Sequence, residues 1–217
     1  AIARIEPATF ENNSLISNDL TKMIENRLYA VQVLTHKNYS LSKPSRSDLR
    51  EDGKRNIFLE VDPIEIKISL GTPDLIISDK NGKIISDTKQ ERLNKEKWFS
   101  EKLDRYRASD IMLEHILKSY QMSVKDSDNE FVYLYEIRDA LSSKFGNQEN
   151  AIKNLGINKK EWDAIGILAN TKPLKQGRHR GKSAGVLRAA DSVELEESRK
   201  AASNLIEKYL IYLEKTC

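Results

Sequence analysis

Apolar residues along this chain change period twice. From Asn18, the residues Leu20, Met23, Ile24, Leu28, Val31 and Leu34 recur at helical spacing and predict a helix. Ser17 or Asn18 supplies a cap. The tail of this segment, Tyr29-Ala30-Val31-Gln32-Val33-Leu34-Thr35, also satisfies a strand. Residues 1–17 carry turn-like Pro7 and Asn12-Asn13-Ser14 and read as irregular. Residues 37–56 are polar, hold Pro44 and Gly53, and predict an exposed loop.

A period of two follows. Ile57-Phe58-Leu59-Glu60-Val61 reads as one strand, and Ile64-Glu65-Ile66-Lys67-Ile68-Ser69-Leu70 alternates strictly, with one face to bury. Asp74-Leu75-Ile76-Ile77-Ser78 and Lys83-Ile84-Ile85-Ser86 flank Asn81-Gly82. That dipeptide predicts a hairpin through a type I′ turn.

From Thr88 the helical period returns. Leu93, Trp98, Phe99 and Leu103 mark one helix, and Ile111, Met112, His115, Ile116 and Tyr120 mark the next. Asp126-Ser127-Asp128-Asn129 is a turn that caps a third, whose apolar face is Phe131, Leu134, Tyr135, Ile137 and Leu141. Gly146 ends it. Asp191-Ser192-Val193-Glu194 has capping-box spacing and opens a long helix with the stripe Val193, Leu195, Ala202, Leu205, Ile206, Tyr209, Leu210 and Leu213. These periods predict an α+β protein. A small antiparallel β unit with an N-terminal helix occupies residues 1–87, and a C-terminal helical bundle occupies residues 88–217.

Residues 147–168 carry a tighter pattern. Ala151, Leu155, Gly156, Ile157, Trp162 and Ile165 are spaced as in a helix-turn-helix unit, with Gly156 in the left-handed position of the turn. The second helix of that unit turns Asn158, Lys159, Lys160, Glu161 and Asp163 outward. Two acids among five make a poor phosphate-facing set, so two packed helices are the simpler expectation than DNA readout.

Composition narrows the function. The 217 residues include 36 basic and 33 acidic side chains, for a net charge of +3. A basic footprint must therefore be local. Cys217 is the only cysteine, so a disulfide framework or a cysteine metal site is excluded, and a reducing, cytoplasmic setting is expected. No run of about 18 apolar residues is present, so no membrane span is expected. Nor does an apolar secretory segment stand at the start. Walker and Gly-x-Gly-x-x-Gly sequences are absent, and His36, His115 and His179 have no His or Cys at ligand spacing. Neither a cofactor nor a metal is expected.

The local footprint is the loop at residues 171–190. It carries Lys172, Lys175, Arg178, Arg180, Lys182 and Arg188 with no acid, and it holds three glycines. Cationic donors and exposed backbone N–H groups in such a loop suit an anion, above all phosphate. Asn170 stands at its entrance. Arginines clamp phosphate in bidentate fashion, and a neutral His179 between Arg178 and Arg180 would serve as a base toward a 2′-hydroxyl without metal. On the preceding helix Tyr135, Arg138 and Asp139 share a face and could supply an aromatic or acidic partner for the loop.

A helical half with an Arg/His signature just before a last long helix resembles the HEPN superfamily of prokaryotic toxin and defence proteins, over roughly residues 105–215. The resemblance implies a metal-independent ribonuclease, with Arg178 and His179 catalytic and Asn170 and Arg180 in support. It also implies a homodimer that sets two loops across one groove. The family motif separates its Arg and His by several residues, whereas Arg178 and His179 are adjacent, and Arg138-Asp139 is followed by no His at that distance. The expectation is a defence or accessory factor that binds nucleic acid, RNA in preference to DNA, or another phosphate-bearing ligand through the basic loop. The alternatives are the ribonuclease and a non-catalytic protein-interaction module.

Overall fold

The computed structural model describes residues 4–6, 9, 16–41, 46–50, 52–58, 74–183 and 185–216. The strand expected at 64–70, the end of the one expected at 57–61, and Cys217 lie outside them. The protein is α+β. Its helices are α1 (Ile16–Thr35), α2 (Thr88–Tyr106), α3 (Ile111–Lys125), α4 (Glu130–Lys144), α5 (Gln148–Leu155), α6 (Lys159–Asn170) and α7 (Ser192–Thr216). Its strands are β1 (Arg46–Leu49), β2 (Arg55–Phe58), β3 (Ile76–Ser78) and β4 (Ile84–Asp87). They pair antiparallel as β1 with β2 and β3 with β4. Two compact units result: residues 39–92, and residues 1–38 with 93–217.

In the strand unit, the segment expected as an exposed loop instead forms a hairpin. Arg46 pairs with Phe58 and Leu49 with Arg55. The turn between them is closed by Gly53 N–H on Arg50 O and Arg50 N–H on Lys54 O, with Gly53 at φ +77°. The second hairpin repeats this geometry. Gly82 N–H donates to Asp79 O, Asp79 N–H donates to Lys83 O, and Gly82 sits at φ +79°. Asn81 is not left-handed, so the expected type I′ turn is replaced by a three-residue loop ending in a left-handed glycine. Asp79 favours this choice, because its Oδ1 accepts from the N–H groups of Asn81 and Lys83.

The helical unit has one continuous core. Helix α4 is its hub and packs on α3, α5, α6 and α7. The buried face of α4 is Phe131, Leu134, Ile137 and Leu141, at the spacing the sequence predicts. Gly156, at φ +61°, ends α5, with Ala151, Leu155, Ile157, Trp162 and Ile165 buried around the turn. Two stripes differ from expectation at their ends: Val193 and Ile111 are largely exposed. Helix α1 buries a different face from the one its apolar period suggests, namely Asn26, Tyr29, Ala30, Gln32 and Val33, while Met23 is exposed. The polar members of that face have partners. Asn26 donates to Asp104 at 2.7 Å and accepts from Arg107 at 2.9 Å, and Arg107 lies over the Tyr29 ring. A buried polar group that is hydrogen-bonded on both sides carries little penalty, so the period of apolar residues alone does not decide the face.

At the end of α1, His36 adopts φ +50° and joins a closed network. Its Nδ1 lies 3.2 Å from Tyr120 Oη and its Nε2 lies 3.4 Å from Glu130. Arg199 of α7 donates two 2.7 Å hydrogen bonds to the same buried carboxylate. Burial works to raise the Glu130 carboxyl, but the hydrogen bonds from Arg199 and His36 outweigh it and hold it below its usual range.

Candidate functional site

The basic loop is tied down by its backbone. Thr171 and Lys172 N–H groups both donate to Ile167 O, and Arg178 N–H donates to Ala169 O at 2.7 Å, so the loop folds back over the end of α6. Lys175 N–H bonds Arg188 O, and Arg188 N–H bonds Pro173 O, which brings the two arms together. Leu174 is buried beneath this crossing and anchors it in the core.

Three of the six cations are held by the protein itself. Glu194 closes the capping box with Asp191 in both directions, at 3.1 and 2.9 Å. Both its oxygens also take Arg188 at 2.7 Å, and one takes Lys172 at 2.8 Å. The hydrogen bonds from Arg188, opposed by burial and reinforced by Lys172, hold the Glu194 carboxyl far below the usual carboxylate range. Arg180 binds Asp128 O at 2.9 Å and the Asn129 side chain. A charge count over residues 171–190 sees six donors, yet Glu194, four residues beyond the segment, engages two of them in ion pairs.

Lys175, Arg178 and His179 are exposed. Among the described residues, no carboxylate pairs with Lys175 or Arg178, and His179 has no hydrogen-bond partner. Of Lys182 only the backbone is described. The guanidinium of Arg178 lies 4.2 Å from the ring centroid of Tyr135 on α4. Arg138, one turn further along α4, lies 5.2 Å from the same ring and 5.3 Å from that of Trp162. The loop thus meets α4 through Arg178 on the Tyr135 ring. Arg178 and His179 remain neighbours in sequence, and among the described residues no hydrogen bond joins their side chains.

A groove of about 270 Å³ opens between α4 and α6, lined by Arg138, Asp163, Gly166, Ile167, Asn170 and Thr171. Asp163, Gly166, Ile167 and Asn170 fall at i, i+3, i+4 and i+7 and so form one face of α6. Arg138 reaches across from α4 and lays its Nη1 over Gly166. Its Nη2 donates to Gln148 at 3.1 Å, while its Nε is shut off from solvent without a partner, as is Asn170 Oδ1. Asp163, expected among the outward residues of a groove-reading helix, is only half exposed. Of the groove residues, Asn170 was legible as part of the basic stretch and Arg138 as part of the α4 face. Asp163 was legible only as an outward residue of its helix, and Gly166 and Ile167 had no local signal, because only the packing of α4 on α6 assembles the groove.

Comparison with protein-family models, curated proteins and solved structures yields no match. Among the described residues no helix is long and apolar enough to cross a membrane.

Proposed function

We propose that the protein binds single-stranded nucleic acid, RNA in preference to DNA, on the surface formed by the basic loop and the adjoining face of α4. The observation that carries this reading is the pair Arg138 and Arg178 on one tyrosine ring, neither guanidinium held in an ion pair among the described residues. Arg178, exposed on that ring, suits a phosphate, the free Nη1 of Arg138 suits a base, and an exposed lysine on the same loop, Lys175, adds a point charge. Lys172 and Arg188 hold the loop's shape through Glu194, and Arg180 ties it to the start of α4. These assignments differ from a loop in which all six cations meet the ligand.

The test is fluorescence anisotropy with labelled single-stranded RNA at low and rising salt, run with a chelator and followed for cleavage on a gel. Binding that weakens steeply with salt supports the reading. Absence of binding at low salt to both RNA and DNA sinks it and favours a protein-interaction module. Cleavage that survives the chelator and is lost in His179→Ala, with the thermal transition unchanged, would make the site a metal-independent ribonuclease of the HEPN kind.

A further inference from the structure

The cations of the loop are partly spent inside the protein, but the polar groups of the α4–α6 groove are not. Only Nη2 of Arg138 has a hydrogen-bond partner among the described residues, and the side chains of Asp163 and Asn170 have none. Along α6 these groups come in a fixed order: a carboxylate, then a guanidinium edge one turn on over Gly166, then an amide one turn further. A plain phosphate site would not place a carboxylate beside the arginine, because the two anions repel. A ligand for this groove must present donors at one end and acceptors next to them.

We infer that the groove is a pocket for an unstacked guanine base. This assignment rests on the nucleic-acid reading above for the source of the base. Guanine is the base with two adjacent donors, N1–H and N2–H, which match the two oxygens of a carboxylate. Beside them lie O6 and N7, the acceptor pair that arginine recognises. Adenine and cytosine offer a single amino group and uracil a single imide N–H, so none fills the carboxylate in this way. Asp163 takes the donor edge, Arg138 Nη1 donates to the acceptor edge, and Asn170 completes the far end. Single-stranded RNA is commonly read through splayed-out bases of this kind. The groove adjoins the Tyr135 ring that carries Arg178, so a backbone phosphate of the same nucleotide has a cation within reach.

Calorimetric titration with GMP, AMP, CMP, UMP and inorganic phosphate tests the pocket, beside anisotropy with an oligouridine and the same oligomer carrying one central guanosine. Asp163→Asn is the main variant, since Asp163 has no internal partner to lose, and Arg138→Gln is the second. The expected result is that GMP binds about tenfold or more tightly than the other nucleotides and phosphate, with the preference abolished in Asp163→Asn at an unchanged thermal midpoint. Equal binding of all four nucleotides overturns the guanine pocket. Equal, salt-sensitive binding of both oligomers overturns it too, while leaving the nucleic-acid reading intact. A GMP preference with oligomers bound no more tightly than GMP keeps the pocket and removes the polyanion surface.

Discussion

Gly166 makes room for Arg138. A β-carbon at position 166 would come within 2.6 Å of Arg138 Nη1 and 3.2 Å of the guanidinium carbon. Arg138 is in turn set by the rings of Tyr135 and Trp162 and by Gln148. A glycine inside a helix costs about 1 kcal/mol relative to alanine, so its presence mid-α6 calls for such a neighbour.

Gly166→Ala is therefore expected to leave stability within about 1 kcal/mol of the wild type. The helical gain offsets the contacts Arg138 loses when its flexible end is pushed aside. The displacement itself is read by NMR: the indole N–H resonance of Trp162 shifts and that of Trp98 does not. An unperturbed Trp162 signal would mean that Arg138 is not held where the structure puts it.

Glu194 joins the loop to α7, and its removal tests the clasp. Glu194→Gln keeps the reciprocal cap with Asp191 but is expected to cost on the order of 2 kcal/mol in urea unfolding, through lost charge-assisted hydrogen bonds to Arg188 and Lys172. Released Lys172 and Arg188 then raise affinity for single-stranded RNA at low salt. A variant as stable as the wild type would show that the clasp contributes little.

The pH dependence follows from the same carboxylate. Arg188 and Lys172 lower the Glu194 carboxyl in the folded protein, and Arg199 and His36 lower that of Glu130 against its burial. The unfolded chain then takes up protons first as pH falls below about 4.3, so stability drops with acidification and the contribution is fully present above that range. Unfolding free energy measured from pH 6 to pH 3 is expected to fall more gently in Glu194→Gln than in the wild type. Parallel curves would contradict the assignment.

Tyr135 contributes without carrying charge. Tyr135→Ala is expected to weaken RNA binding about threefold, because Arg138 and Arg178 lose the ring that orients them. Unchanged affinity in anisotropy would show that the arginines need no ring.

Much of the fold is legible in the chain because short-range chemistry sets it. The apolar face of α4, the left-handed Gly156 and the Asp191–Glu194 capping box all depend on residues within one or two turns. The hairpin at Asp52-Gly53 carries the same local signal as that at Asn81-Gly82. It is masked by polar strands with no apolar alternation. The buried face of α1 is set by Asp104 and Arg107, far along the chain, which allow Asn26 to go inside. The candidate site divides in the same way. The basic loop shows in composition, but which of its cations are open depends on Glu194, Asn129 and Tyr135. The groove exists only once α4 lies on α6.

The central claim is that Lys175 and Arg178 meet phosphates while Lys172 and Arg188 do not. It is tested most directly by the slope of log K against log salt for a single-stranded RNA. Each phosphate contact contributes about 0.7 to that slope, so Lys175→Ala with Arg178→Ala is expected to lower it by about 1.4. A double variant with the wild-type slope would contradict the account.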